Sequence, residues 1–347
     1  MTEARSLPEG LAGRLVTLPG NDVVSRMEAL LRQQKDTWPR LRDGYAALGS
    51  VQERRLAFGD VTIRIVFNPA RIVSTSAAVD DRSVRERKCF LCAANLPPEQ
   101  RGFLYGGHHI VLCNPFPIFR EHFTIPDVAH IPQRIDGMFG TMLDLARDAS
   151  PRYMVMYNGP RSGASAPDHQ HFQAGETGFL EIESEVEHLA GQGELLAQGE
   201  YLTATAVNDG LRRWIALEGR AKDRLASAFN NTVAALRNGG TPGEEPMMNI
   251  LTWYLGDRWR VLIFPRTRHR PSVYFAEGDA KIMISPAGTD CGGVCITPLE
   301  RDFHRLTPDT VRTIFDEIMM PPVTFSTVSA RVRQALAADP SSRKPLQ

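Results

Sequence analysis

Little in this sequence points outward. Lys plus Arg and Asp plus Glu each number 40, so the 347-residue chain has no formal net charge. A neutral chain offers no bulk field for nucleic acid or an anionic membrane, although a local basic cluster still suits a small polyanion. No stretch approaches 18 uninterrupted apolar residues and the first ten residues lack the apolar centre of a secretory leader, so no membrane partner is expected. Cysteine is scarce. Cys89, Cys92, Cys113, Cys291 and Cys295 are an odd number, too sparse for a disulfide framework. These absences describe a soluble protein of the reducing cytoplasm.

What is present is concentrated in Asn158-Gly-Pro-Arg-Ser-Gly-Ala-Ser-Ala-Pro-Asp-His169-Gln-His171-Phe-Gln173. A loop of small residues runs into three polar side chains spaced by two. On a strand, alternate side chains share a face, so His169, His171 and Gln173 are expected to project together, opposite Gln170 and Phe172. Imidazole is uncharged and nucleophilic near neutral pH. Beside a loop of backbone donors and an amide, it suits displacement at phosphorus, with the donors holding oxygens as charge builds.

Around this motif the patterning is α+β. Residues 21–48 suit one or two helices broken at Trp38-Pro39. Val61–Phe67, His109–Cys113, His122–Ile125 and Tyr153–Tyr157 read as strands, and Met138, Met142, Leu145 and Ala149 as a helical stripe. The basic stretch Asp80–Lys88 reads as a loop, and the Glu-rich segment from Glu181 to Glu200 as a solvated connector. Leu225, Phe229, Val233 and Leu236 mark a helix that stops at Gly239-Gly240. Paired strands follow around Gly256-Asp257, then a strand over Lys281–Ser285 and a late helix carrying Val311, Ile314, Phe315 and Ile318. The second half thus repeats the first without the HxHxQ pattern. The expected organisation is a helical extension over 1–50, a catalytic half over 51–190, a degenerate half over 191–335 and a flexible tail over 336–347.

His169-Gln-His171-Phe-Gln173 after a Gly/Ser loop resembles the histidine-triad superfamily, in its nucleotidyltransferase branch. That branch holds galactose-1-phosphate uridylyltransferase, diadenosine tetraphosphate phosphorylase and the GDP-hexose phosphorylases. Pro132-Gln-Arg-Ile-Asp136, Tyr157-Asn158 and His171-Phe-Gln-Ala174 look most like the GDP-hexose phosphorylases. Cys89-Phe-Leu-Cys92-Ala looks like the uridylyltransferases, and Ser162-Gly-Ala-Ser165 like the diadenosine tetraphosphate enzymes. The likeness covers residues 60–180 well and 245–300 loosely. It implies two histidine-triad-like halves, each an antiparallel sheet with flanking helices, joined as a pseudo-dimer in one chain.

The resemblance also implies a chemistry. His171 would attack the α-phosphorus and form a covalent nucleotidyl-histidine; Gln173 would bind a non-bridging oxygen; Asn158, Ser162, Gly163 and Ser165 would form the phosphate loop. A nucleotide sugar of GDP-hexose type is the first expected substrate and a dinucleoside polyphosphate the second, with phosphate or a sugar phosphate as acceptor. A binding protein that keeps the fold without turnover is the non-enzymatic alternative.

Cys89-x-x-Cys92 has the spacing of two thiolate ligands for one tetrahedral ion. The resemblance to the uridylyltransferases supplies His122 and His169 as the remaining ligands of a structural zinc, giving His169 a second expected role beside substrate binding. No organic cofactor is expected. Arg71, at the end of a strand, and Arg82, Arg85 and Arg87 are candidate phosphate contacts. The basic run Arg266–Arg270 divides between completing the phosphate site and a solvated loop. His130 is expected to be structural, and Cys291 and Cys295 buried thiols.

Overall fold

A computed structural model describes residues 10–237 and 243–339. Among the described residues thirteen strands form two sheets. The small one contains β1 (Gln52–Phe58), β2 (Val61–Phe67) and β13 (Val294–Thr297); β13 runs parallel to β2 and the other pair is antiparallel. The large one contains β3 (Gly102–Tyr105), β4 (His109–Cys113), β5 (His122–Pro126), β6 (Tyr153–Asn158), β7 (His171–Glu176), β8 (Glu194–Gln198), β9 (Leu202–Asn208), β10 (Arg213–Gly219), β11 (Met248–Leu255) and β12 (Arg258–Pro265).

The spatial order of the large sheet is 3-4-5-7-6-11-12-10-9-8, antiparallel throughout. The first five strands lie in the order 3-4-5-7-6 and the second five, from the opposite edge, in 8-9-10-12-11. That is one motif used twice, with β6 against β11 at the centre and Asn158 directly opposite Asn249. In each copy one helix precedes the innermost strand, Phe139–Asp148 before β6 and Lys222–Arg237 before β11. Phe139 and Phe229 of these helices stack 3.7 Å apart, 6° from parallel. The pseudo-dimer expected from the resemblance is present.

Alternation along the strands divides the core between the two faces of the sheet. Phe123, Ile125, Tyr157, Phe172, Ala174, Ile250 and Ile263 pack under the long helices. Met154, Met156, Leu251, Leu262 and Phe264 pack with the small sheet and the helix Pro308–Ile318. The helices Val23–Thr37 and Pro39–Ala46, split at Trp38-Pro39 as expected, bury Met27, Leu30, Leu31, Leu41 and Tyr45 in the first of these layers. Tyr45 exchanges two 3.0 Å hydrogen bonds with the backbone of His122, tying this extension to β5.

Several segments depart from expectation. Asp80 caps the amide of Ser83 at 3.0 Å and turns Asp81–Glu86 into a short helix rather than a loop. The Glu-rich connector is a helix, Ile182–Gly191, followed by β8. Ile182, Val186 and Leu189 give it a buried face, and Glu185 holds the buried Arg212 at 2.7 Å. Lys281–Ser285 alternates like a strand but finds no sheet edge: Ile282 bonds to Val273 and the amide of Met283 to Asp302. The final helix, Pro322–Ala338, continues into the segment expected to be a tail; residues 340–347 and the stop at Gly239-Gly240 lie outside the described residues. Among the described residues no helix is long and apolar enough to cross a membrane.

Candidate active site

The site opens where β6 and β7 part. Their pairing ends at Met156 opposite Gln173, and beyond it the chains diverge around the loop of residues 159–170. Gln133 fills the gap. Its amide donates to the carbonyls of Asn158 (2.8 Å) and His171 (3.1 Å), and its oxygen accepts the His171 amide at 2.8 Å. A buried glutamine thus supplies the hydrogen bonds that a continued ladder would have made.

His171 and Gln173 line a cavity of about 410 Å³ between the two sheets. The Nδ1 of His171 lies 2.8 Å from the carbonyl oxygen of His169. A carbonyl only accepts, so Nδ1 carries the proton and Nε2 keeps its lone pair. Burial holds this imidazole neutral, its pKa drawn down to about 4.

The tautomer of His122 fixes Gln173. The Nδ1 of His122 accepts the amide of Ile118 at 3.2 Å, which leaves the proton on Nε2 to be donated to the Gln173 oxygen at 3.0 Å. With its oxygen engaged, Gln173 has its NH2 group for the cavity. Burial, and then the nearby Arg71 charge, draw His122 down to about 3, so it too is neutral.

His122 is therefore not a ligand of the cysteine pair. His130 stands there instead: Cys89, Cys92, His130 and His169 bring their ligand atoms within 4.8 Å of one another. His169 Nδ1 is 3.2 Å from Cys89 Sγ and 3.6 Å from Cys92 Sγ, and His130 Nδ1 is 3.2 Å from Cys92 Sγ. Zinc bond lengths in a tetrahedron require sulfur–nitrogen separations of about 3.5 Å. The Nε2 of His169 donates to the Asp127 carbonyl at 2.8 Å, which aims its free Nδ1 at the sulfurs. This Cys2His2 group could hold a metal ion.

His169 accordingly does not share a face with His171. It precedes β7, in a turn closed by its amide on the Ala166 carbonyl, and its ring does not line the cavity. Gln170 and Phe172 do point away, to His109 and into the core.

Of the expected phosphate loop, Asn158, Gly163 and Ser165 line the cavity while Ser162 is fully buried beneath it. Asn158 Oδ1 accepts from Asn249 and from the Gly288 amide, both at 2.8 Å, leaving its own NH2 group for the cavity side. Gly163 has φ +97°, and a Cβ there would meet Ala287 at 2.6 Å, so glycine alone allows the two loops to touch. Arg71 lines the cavity too, its Nη1 donating to the Phe116 carbonyl at 2.7 Å, and burial lowers its pKa to about 10. Arg40 lines the cavity on the same side as Phe116, over whose ring it sits.

The other arginines do not line the cavity; Arg85 is exposed on the short helix Asp81–Glu86. Arg82 pairs with Glu86, and Arg87 with Asp168 at 2.5 Å. Arg266 is buried, holding Asn249 Oδ1 and the carbonyls of Pro286, Ile318, Arg268 and His269. Arg270 holds Ser285 and two carbonyls at Thr75 and Ala77. The second half of the chain thus contributes support through Asn249, Arg266 and Gly288. Sequence reasoning gave neither Gln133 nor Asn249 a role at the site, since the hydrogen bonds that define them join residues distant in the chain.

A domain of unknown function, DUF4922, matches residues 30–176. No curated protein matches the sequence. Among solved structures, yeast Ap4A phosphorylase Apa2 aligns over 88% of this chain and 96% of its own, at 17% identity and a TM-score of 0.55. Its complex with Ap4A aligns over 82% and 98%, at 16% identity and a TM-score of 0.53. This chain shares the fold of that phosphorylase. At such identity the likeness concerns architecture, and it carries the pseudo-dimeric arrangement described above.

Proposed function

We propose that the protein is a nucleotidyltransferase acting through His171, cleaving a nucleoside diphosphate sugar with phosphate or a sugar phosphate as acceptor. The observation that carries this reading is the tautomer of His171: Nδ1–H is held by the His169 carbonyl and the Nε2 lone pair is left at the cavity wall.

In the first step Nε2 attacks the α-phosphorus and the bond from phosphorus to the bridging oxygen breaks, releasing a sugar phosphate. The positive charge that appears on the ring is stabilised by the Nδ1–H···O=C bond, and the Gln173 and Asn158 amides donate to the non-bridging oxygens. In the second step an oxygen of the acceptor attacks the same phosphorus and the P–N bond breaks, freeing His171. With phosphate as acceptor the product is a nucleoside diphosphate. Arg71 and Arg40 supply positive charge beside the phosphates, and Phe90, Leu96, Leu112 and Phe116 give the cavity an apolar side for the nucleoside.

Cys89, Cys92, His130 and His169 are the residues that would hold one structural zinc. It would brace the turn before β7 and take no part in the transfer.

A dinucleoside tetraphosphate is the second reading, favoured by the likeness to the Apa2 phosphorylase bound to Ap4A. The test is phosphate-dependent release of nucleoside diphosphate from a panel of nucleotide sugars and dinucleoside tetraphosphates. Release from at least one of them is expected; release from none overturns the enzymatic reading.

A further inference from the structure

A second cavity, of about 490 Å³, adjoins the first, and Ile118 and Ile296 line both. It lies further along β7. His171 and Gln173 face the first cavity, Gly175 is covered by the Phe119 ring, and Glu176, Thr177, Gly178 and Phe179 line the second. The fully buried Phe119 ring is 5.2 Å from His122, behind Gln173, and 4.6 Å from Phe179 of the second cavity.

Displacement at phosphorus is in-line, so the leaving oxygen departs on the side away from the attacking nitrogen. Gln173 is the next residue of β7 on the His171 face, and the second cavity lies beyond it. A leaving group that departs along β7, past Gln173, enters that space.

The charged lining of the second cavity is balanced. Arg64, Arg120 and Arg152 stand with Glu53, Glu121 and Glu176. Arg152 is held by Glu121 at 2.5 Å, and Arg64 by Glu53 at 3.3 Å and Glu181 at 3.2 Å. A polyphosphate needs an excess of cations, and three carboxylates would repel it. An uncharged polyol instead finds donors and acceptors alternating around it, and Phe179 for its apolar face. The first cavity differs: its charged lining is Arg40, Arg71 and Asp290, a cationic excess suited to phosphate.

We propose that the second cavity is the subsite for the sugar ring of the leaving group, selecting a nucleoside diphosphate hexose over a dinucleoside polyphosphate. The assignment rests on the nucleotidyl-transfer reading of His171 and adds to it the place where the sugar is recognised. Arg120, whose guanidinium makes no ion pair among the described residues, and Glu53 are the lining side chains that can be changed with the least disturbance of the fold.

The experiment compares Arg120→Ala and Glu53→Gln with the native protein on two donor types. One is a set of nucleotide sugars: UDP-glucose, GDP-glucose, GDP-mannose and ADP-glucose. The other is the 5′-phosphorimidazolide of the same nucleoside, which carries the nucleotidyl group and no sugar. For the best nucleotide sugar each variant is expected to raise KM by about tenfold, about 1.4 kcal/mol. Labelling of His171 by the phosphorimidazolide should be unchanged. Native-like KM in both variants with labelling intact overturns the sugar subsite alone, as does labelling of His171 by the phosphorimidazolide with turnover of none of the nucleotide sugars. If no donor labels His171, the transfer reading itself falls, and the subsite with it.

Discussion

His122 donates Nε2–H to the side-chain oxygen of Gln173 at 3.0 Å, and this one bond decides which end of the Gln173 amide faces the cavity. Neither residue alone would be informative. Together they convert an amide that could face either way into a fixed donor aimed at the substrate.

Removing His122 should therefore act through Gln173. His122→Leu frees the amide to rotate, and kcat is expected to fall by roughly one to two orders of magnitude, within the range for loss of one preorganised donor. Gln173→Leu should cost at least as much. Steady-state kinetics of both variants check this, with circular dichroism confirming that the buried site still folds. Near-native kcat in His122→Leu would show that the orientation of Gln173 does not matter.

The metal ligands can be separated by composition. Zinc measured in the purified protein is expected at about one per chain, falling in Cys89→Ser and His130→Ala and unchanged in His122→Leu. Loss of a structural ion should also lower Tm by several degrees, since binding free energy is folding free energy. Zinc lost in His122→Leu but kept in His130→Ala would restore the assignment made from the sequence resemblance.

Glu245 connects stability to pH. Its carboxylate accepts from Tyr157 at 2.7 Å and from the Ile135 amide at 2.6 Å, yet burial raises its pKa to about 7. The unfolded chain ionises this group near 4.5 while the folded one keeps its proton to about 7. Through that window the unfolded state binds fewer protons, so stability falls as pH rises, by an amount on the order of 3 kcal/mol at most. Glu245→Gln should flatten the slope of urea-unfolding free energy between pH 4.5 and 7 relative to the native protein. Equal slopes in the two proteins would exclude Glu245 as the source.

Much of the architecture was legible in periodicity. β2 and β4 run over the residues that their β-branched and apolar patterns mark, and His171 and Gln173 of the HxHxQ stretch line a cavity. What escaped was whatever depends on partners distant in sequence. His130 and His122 are both histidines near strands, and only the fold sends one to the cysteines and the other to Gln173. Alternation suggested that His169 and His171 share a face, but the turn at Ala166–His169 ends the strand before His169 joins it. The Glu-rich segment looked solvated because its helical face is narrow, with Ile182, Val186 and Leu189 as its buried residues. Gln133 and Asn249 were silent because a lone buried amide declares itself only when its hydrogen bonds are seen.

Covalent transfer through His171 is tested most directly by weighing the intact protein after incubation with each nucleotide sugar in the absence of acceptor. The expected result is a mass gain of one nucleoside monophosphate, located on the peptide containing His171, lost in acid, discharged by added phosphate, and absent from His171→Ala. Phosphate-dependent turnover with no such adduct, or with undiminished rate in His171→Ala, would contradict it.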